Sequence, residues 1–236
     1  MSVAATVAFT VDLEPDCPPF LSGFRGVEHG LPALLDLLAR RRVCATFFTT
    51  GEVAERYPQA VERLLAEGHE LACHGMTHTA FTTLDREAAR DEIERSASIL
   101  RRFAPVTSFR APYLKFPNEY VDLLVEAGFG LDSSSAKYKR GWRAGLNAGG
   151  QKFTRVPASV TSSVLRLPRV VRRAYLGMLS SPVVLFVHPW EFVDLRKENI
   201  RWDCRFRTGD AALECVDEVL GGYADGGARF VRMREL

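Results

Sequence analysis

Asp12 and Glu14 stand two positions apart at the end of an apolar run, with Asp16 two residues further on. Alternate residues of an extended chain share a face, so the carboxylates at 12 and 14 would point to one side. His74 and His78 are four apart across Cys73-His-Gly-Met-Thr-His78, and on a helical turn two imidazoles at that spacing can bind one metal ion. His188 ends the run Leu185-Phe-Val-His and is followed by Pro189, Trp190 and Glu191, a setting in which it faces a cleft. Arg110 precedes a rigid Ala-Pro-Tyr113 turn, and Asp132 leads into three serines. Taken singly, each has an ordinary explanation: a loop carboxylate, solvated histidines, a surface ion pair, an N-cap. Together they supply two imidazoles and a carboxylate for a divalent ion, a second carboxylate, and a third histidine. Those are the parts of metal-assisted hydrolysis: a cation to acidify water, a general base, and a general acid for the leaving group.

Such groups need elements to carry them. Short apolar or β-branched runs over 5–11, 45–49, 70–73, 108–110, 129–131, 155–156, 183–187 and 229–233 read as strands. Between them, helical periodicity is expected over 29–41, 52–67, 85–103, 119–127 and 210–223, with Gly68 stopping the second helix. Strand–helix alternation means a parallel sheet, because parallel strands need long crossovers. About seven strands in one domain length point to an α/β fold of the distorted (β/α) barrel kind, with residues 1–236 as a single catalytic domain. The polar groups fall at or just past the strand ends, where a barrel keeps its active site. The Lys-, Arg- and Gly-rich stretch 136–150 reads as a long loop.

Composition narrows the classes further. A 47% apolar and 25% charged chain is globular rather than disordered or fibrous. A formal charge of +2 gives no bulk attraction to nucleic acid. The longest apolar run, Val183–Val187, is far short of the ~18 residues that a membrane span needs. The N-terminal stretch has no basic segment before its apolar residues, unlike a secretory signal. Five cysteines without a C-x-x-C pair fit a reducing compartment, so a cytoplasmic protein is expected.

In order and spacing these motifs resemble the polysaccharide deacetylases with NodB homology, carbohydrate esterase family 4, from Phe9 to Val231. Thr10-Val-Asp12-Leu-Glu14 is similar to the family's first motif, which implies Asp12 as the base. Leu13 stands where most members have a metal-binding aspartate, so Glu14 is the implied third ligand, with Asp16 as the alternative. His74 and His78 match the paired metal histidines. Arg110-Ala-Pro-Tyr113 matches a motif whose arginine orients the base and whose tyrosine N–H holds the oxyanion. Asp132 matches the aspartate that pairs with the catalytic histidine, and Leu185-Phe-Val-His188 makes His188 the acid. The family's groove-forming tryptophan has no clear counterpart, Trp142 being too distant.

The resemblance implies an N-acyl, above all N-acetyl, amino-sugar hydrolase with one divalent ion. Zinc is the first choice, with cobalt, nickel, iron or manganese as alternatives. The expected partner is an amino-sugar-containing small molecule or glycan, free, nucleotide-linked or lipid-linked, and no nucleic acid. The basic, apolar-interleaved segment 166–179 offers peripheral membrane contact as an alternative to an ordinary barrel helix. The rival chemistry is a cyclic ureide or amide C–N hydrolase of the allantoinase-like branch, working without metal. The metal, the sugar, the acyl group and the oligomeric state are not set by sequence.

Overall fold

The computed structural model describes residues 4–138 and 153–236. Trp142 and most of the expected 136–150 loop lie outside the described residues. The strands are β1 (Thr6–Leu13), β2 (Thr46–Thr49), β3 (Glu70–Cys73), β4 (Ser108–Phe109), β5 (Leu131–Asp132), β6 (Thr154–Arg155), β7 (Val183–Val187) and β8 (Arg229–Val231). All pair in parallel, in the order β6-β5-β4-β3-β2-β1-β7, while β8 shares β1 with β2. The helices are α1 (Leu31–Arg41), α2 (Gly51–Arg56), α3 (Pro58–Ala66), α4 (Arg86–Leu100), α5 (Val121–Glu126), α6 (Arg169–Gly177), α7 (Trp202–Arg205) and α8 (Asp210–Asp225).

The sheet curls into a distorted barrel whose outer face is apolar and whose interior mixes apolar with buried polar residues. Along β1, Val7, Phe9, Val11 and Leu13 pack outward into the layer that includes Leu31, Leu34 and Leu38 of α1. Ala8 points the other way, into an interior cluster with Phe48, Ala72, Leu131, Val184 and Met233. That period-two alternation sends Thr10, Asp12 and Glu14 to the interior side. The gap between β6 and β7 is bridged at Ser159, whose N–H donates to the Val184 carbonyl at 2.8 Å and whose Oγ accepts from Val184 N at 2.9 Å.

Three expected elements are altered, each for a local reason. The helix expected over 52–67 is two helices, because Pro58 cannot continue α2 and instead begins α3 as its first residue. The helix expected from 29 is α1 preceded by a wide turn over Gly26–Gly30. The His74–His78 stretch is no helical turn: Gly75 (φ +77°) and His78 (φ +58°) are left-handed, and the chain reverses in a loop. Two sets of contacts hold that loop. Gly51 N and Glu52 N, at the start of α2, donate to the carbonyls of Gly75 and Met76, both at 2.9 Å. Glu92 of α4 accepts from Met76 N and Thr77 Oγ1, both at 2.7 Å.

Candidate active site

A cleft of about 270 Å³ opens where β1, β3, β4 and β7 end, with Asp12, Glu14, His74, His78, Tyr113 and His188 among its lining residues. At its floor Glu14 Oε2 lies 3.2 Å from His74 Nε2 and 2.6 Å from His78 Nε2. One ligand atom from each of the three falls within 4.8 Å of the other two. His74 Nδ1 is 2.7 Å from the Arg110 carbonyl, which can only accept, so that nitrogen carries the proton. Nε2 is then the His74 nitrogen that meets Glu14. One carboxylate with two imidazoles is the donor set of a catalytic zinc-type site with room for further ligands. The residues fit a divalent ion. Burial alone would raise the Glu14 carboxyl, but His78, His188 and the His74 contact outweigh it and hold it well below the usual range.

Asp16 is elsewhere. Its carboxylate accepts Arg25 N at 2.9 Å and Gly26 N at 2.8 Å, tying down the turn that leads into α1. Glu14 is thus the carboxylate that meets the histidines.

Asp12 sits beside this trio, paired with Arg110 through an Nη1–Oδ1 contact of 2.6 Å. Arg110 is fully buried, yet its charge is well housed. Nη1 also donates to Thr10 Oγ1 at 2.9 Å, Nη2 to Ser133 Oγ at 3.0 Å, and the guanidinium lies 4.0 Å over the Phe48 ring. This buried ion pair orients Asp12.

His188 closes the opposite wall, with Nε2 3.9 Å from Asp12 Oδ2 and 3.8 Å from Glu14 Oε1. Its Nδ1 is 2.7 Å from Glu191 Oε1, and Glu191 in turn pairs with Arg166 Nε at 2.8 Å. Burial opposes charge on this imidazole, but the carboxylates of Glu14, Glu191 and Asp12 prevail and raise its pKa to about 9. For Glu191, burial acts upward, and Arg166 together with His188 pulls the carboxyl below its ordinary value.

The Asp132–His188 pair implied by the resemblance is not formed. Asp132 Oδ2 accepts from Arg155 Nε at 2.8 Å, and Oδ1 accepts from Ser134 N at 2.9 Å and from its hydroxyl. Ser134 Oγ also receives Ala111 N at 2.7 Å, so Asp132 braces the strand end next to Arg110 rather than the histidine. Glu191, three residues after His188, reaches Nδ1 because Pro189 starts a tight 3₁₀ turn that folds it back.

Trp190 and Glu191 are the functional residues that motif reasoning passed over. Trp190 stacks on His188 with ring centroids 4.7 Å apart and donates Nε1–H to Glu14 Oε1 at 3.1 Å. It thereby leaves Glu14 Oε2 for the histidines. The signal was the Pro-Trp-Glu run after His188. Tyr113 stands at the rim with its ring edge-on to His78, 4.7 Å between centroids, and left-handed backbone (φ +60°). Phe20 and Tyr138 flank the mouth, each partly exposed.

The barrel and its strand-end cleft define a NodB-type α/β fold, and comparison with known proteins places the chain further. The family model for polysaccharide deacetylase matches residues 4–131. A chitooligosaccharide deacetylase of Sinorhizobium fredii is 32% identical over 120 residues, 50% of this chain and 56% of that protein. A peptidoglycan-N-acetylglucosamine deacetylase of Bacillus cereus is 33% identical over 127 residues, 53% of this chain and 42% of that protein. The chain thus spans about half the length of these curated relatives. Among solved structures, a peptidoglycan N-acetylglucosamine deacetylase in complex with 4-naphthalen-1-yl-N-oxidanyl-benzamide superposes with a TM-score of 0.65 at 23% identity. That alignment covers 98% of this chain and 87% of the other, a likeness of fold. The chain belongs to the polysaccharide deacetylase family.

Proposed function

We propose that this protein is a metal-dependent hydrolase that removes an N-acyl group, N-acetyl first, from an amino sugar or glycoconjugate. The observation that carries the reading is the meeting of Glu14, His74 and His78 next to the Asp12–Arg110 pair and opposite His188. Glu14, His74 and His78 would hold the ion, zinc being the best match to one carboxylate and two imidazoles. When bound, such an ion acts as a Lewis acid on the amide carbonyl and acidifies water. Asp12, oriented by Arg110, accepts the proton of the attacking water. His188 carries a proton held by its carboxylate neighbours and delivers it from Nε2, the nitrogen turned to the cleft, to the departing amine. The family motif gives the oxyanion contact to the Tyr113 N–H, a type of interaction worth about 3–4 kcal/mol.

The names of the relatives support a glycan substrate, and the small cleft suits one N-acyl sugar unit of a free, nucleotide-linked or lipid-linked molecule. The five unpaired thiols are compatible with the expected cytoplasmic setting, which cell fractionation tests directly.

The test is amine release from a panel of N-acetyl and N-formyl amino sugars by metal-stripped protein reloaded with zinc, cobalt or iron. Activity is expected only after reloading. Asp12→Asn and His188→Ala are each expected to lower kcat about 10²–10⁴-fold while circular dichroism stays native. Activity within a few-fold of wild type in either variant removes the assigned roles. Undiminished activity in chelator on a cyclic ureide would transfer the reading to the allantoinase-like branch.

A further inference from the structure

We propose that α6 docks the protein on an anionic lipid surface. The helix turns apolar side chains two ways: Tyr175 and Leu176 pack against the core, while others face solvent. Its single buried residue is Arg172, which pairs with Glu218 of α8 and donates to the Leu165 carbonyl at 3.1 Å. Three further apolar residues face solvent: Val170 is 81% exposed, Val171 52%, and Met178, just past the helix end, 75%. Val170, Ala174 and Met178 follow an i, i+4, i+8 stripe with Val171 alongside, so they form one strip rather than scattered points. A contiguous exposed apolar strip marks a contact surface.

Charge identifies that partner. Arg169 and Arg173, also four apart, run along one edge of the strip, and among the described residues neither has a carboxylate within ion-pair distance. Behind them a cavity of about 420 Å³ between α6 and α8 is lined by Arg41, Arg169, Arg172 and Arg173. Arg41 and Arg172 are neutralised by Asp217 and Glu218, which leaves the outer pair to meet phosphate groups. A basic edge beside a shallow apolar stripe is the composition of an interfacial helix. A second copy of the chain fits less well. A two-fold contact would set the arginines of one copy against those of the other, and the strip is far smaller than the roughly 1,200–2,000 Å² that a stable protein interface buries. No helix among the described residues is long and apolar enough to cross a membrane, so the contact is peripheral. α6 leads back to the start of β7, whereas the cleft opens at strand ends, so docking leaves the cleft accessible.

Flotation of the full chain with phosphatidylcholine vesicles, with and without phosphatidylglycerol, decides it. Binding is expected only to the anionic vesicles at low salt. Loss of both arginines in the Arg169→Glu, Arg173→Glu double variant should weaken partitioning at least about 25-fold, roughly fivefold for each basic residue. Val170→Asp and Met178→Asp, at mostly exposed positions, should also weaken binding while the melting temperature is kept. No flotation at low salt, or equal flotation by the double variant, overturns the proposal. So does complete displacement by inorganic phosphate at matched ionic strength, which would assign the arginines to a soluble anion. A concentration-dependent dimer abolished by Val170→Asp would assign the strip to self-association and overturn it as well.

Discussion

His188 draws its chemistry from Glu191, a neighbour in sequence that reaches it only through the Pro189 turn. The carboxylate touches Nδ1, and with Glu14 and Asp12 it keeps the imidazole protonated to about pH 9. In the proposed role of general acid it works in its protonated form, so activity should fall as pH rises past the point at which that imidazole loses its proton. Glu191→Gln removes one stabilising charge, so the alkaline limb of the kcat/KM profile should move to lower pH. Asp132→Asn, which touches Arg155 and Ser134 instead, should leave that limb in place. A profile shifted by Asp132→Asn and not by Glu191→Gln would reverse the assignment. Trp190 makes a second residue-scale contribution, because its indole N–H restrains Glu14. Trp190→Phe keeps the stacking but loses that bond, and metal affinity measured by titration against a chelating dye should drop about 10–100-fold.

At the scale of elements, the turn after β7 that follows His188 rests on the wide turn before α1, and two glycines make the contact possible. A Cβ on Gly26 would lie 2.5 Å from Trp190 N, and one on Gly30 would lie 2.0 Å from the Pro189 carbonyl oxygen. Neither backbone atom can yield as a side-chain tip would. Gly30→Ala should therefore push the 189–192 turn outward, costing about 1–3 kcal/mol of stability by overpacking. His188 moves with that turn, so kcat should fall more than the melting shift alone suggests. Unchanged melting and kcat would mean that the two turns are not coupled. The loop carrying His78 is positioned in a similar way, by the start of α2 and by Glu92 of α4, which replace the helical turn that the spacing of the histidines suggested.

For the whole molecule, the strand ends converge on one polar cleft floor, so a bound ion and the fold should support each other. Glu14, His74 and His78 come from the ends of β1 and β3 and are all buried. Unfolding disperses them, hence a cation that binds only the folded chain adds about 2.7 kcal/mol when present at a hundredfold its Kd. Calorimetry should show a melting temperature that falls on chelation and returns with zinc. Identical transitions in both conditions would mean that no ion binds the folded chain.

Sequence by itself determined the class of fold and most of the site's inventory. Period-two and period-3.6 patterns are local, so β1 could be seen to send Asp12 and Glu14 to one side and Leu13 to the other, and the strand–helix alternation implied the parallel barrel. Spacing alone misread the histidine pair as helical. The reversal between them depends on left-handed Gly75 and His78, held by α2 and α4, which are contacts distant in sequence. Which carboxylate meets which partner was likewise decided only by tertiary structure. Asp16 is taken up by backbone N–H groups at 25 and 26, Asp132 by Arg155, and Glu191 is turned onto His188. A charged side chain's partner is chosen by whichever group burial brings within about 3 Å, and no one-dimensional pattern carries that distance.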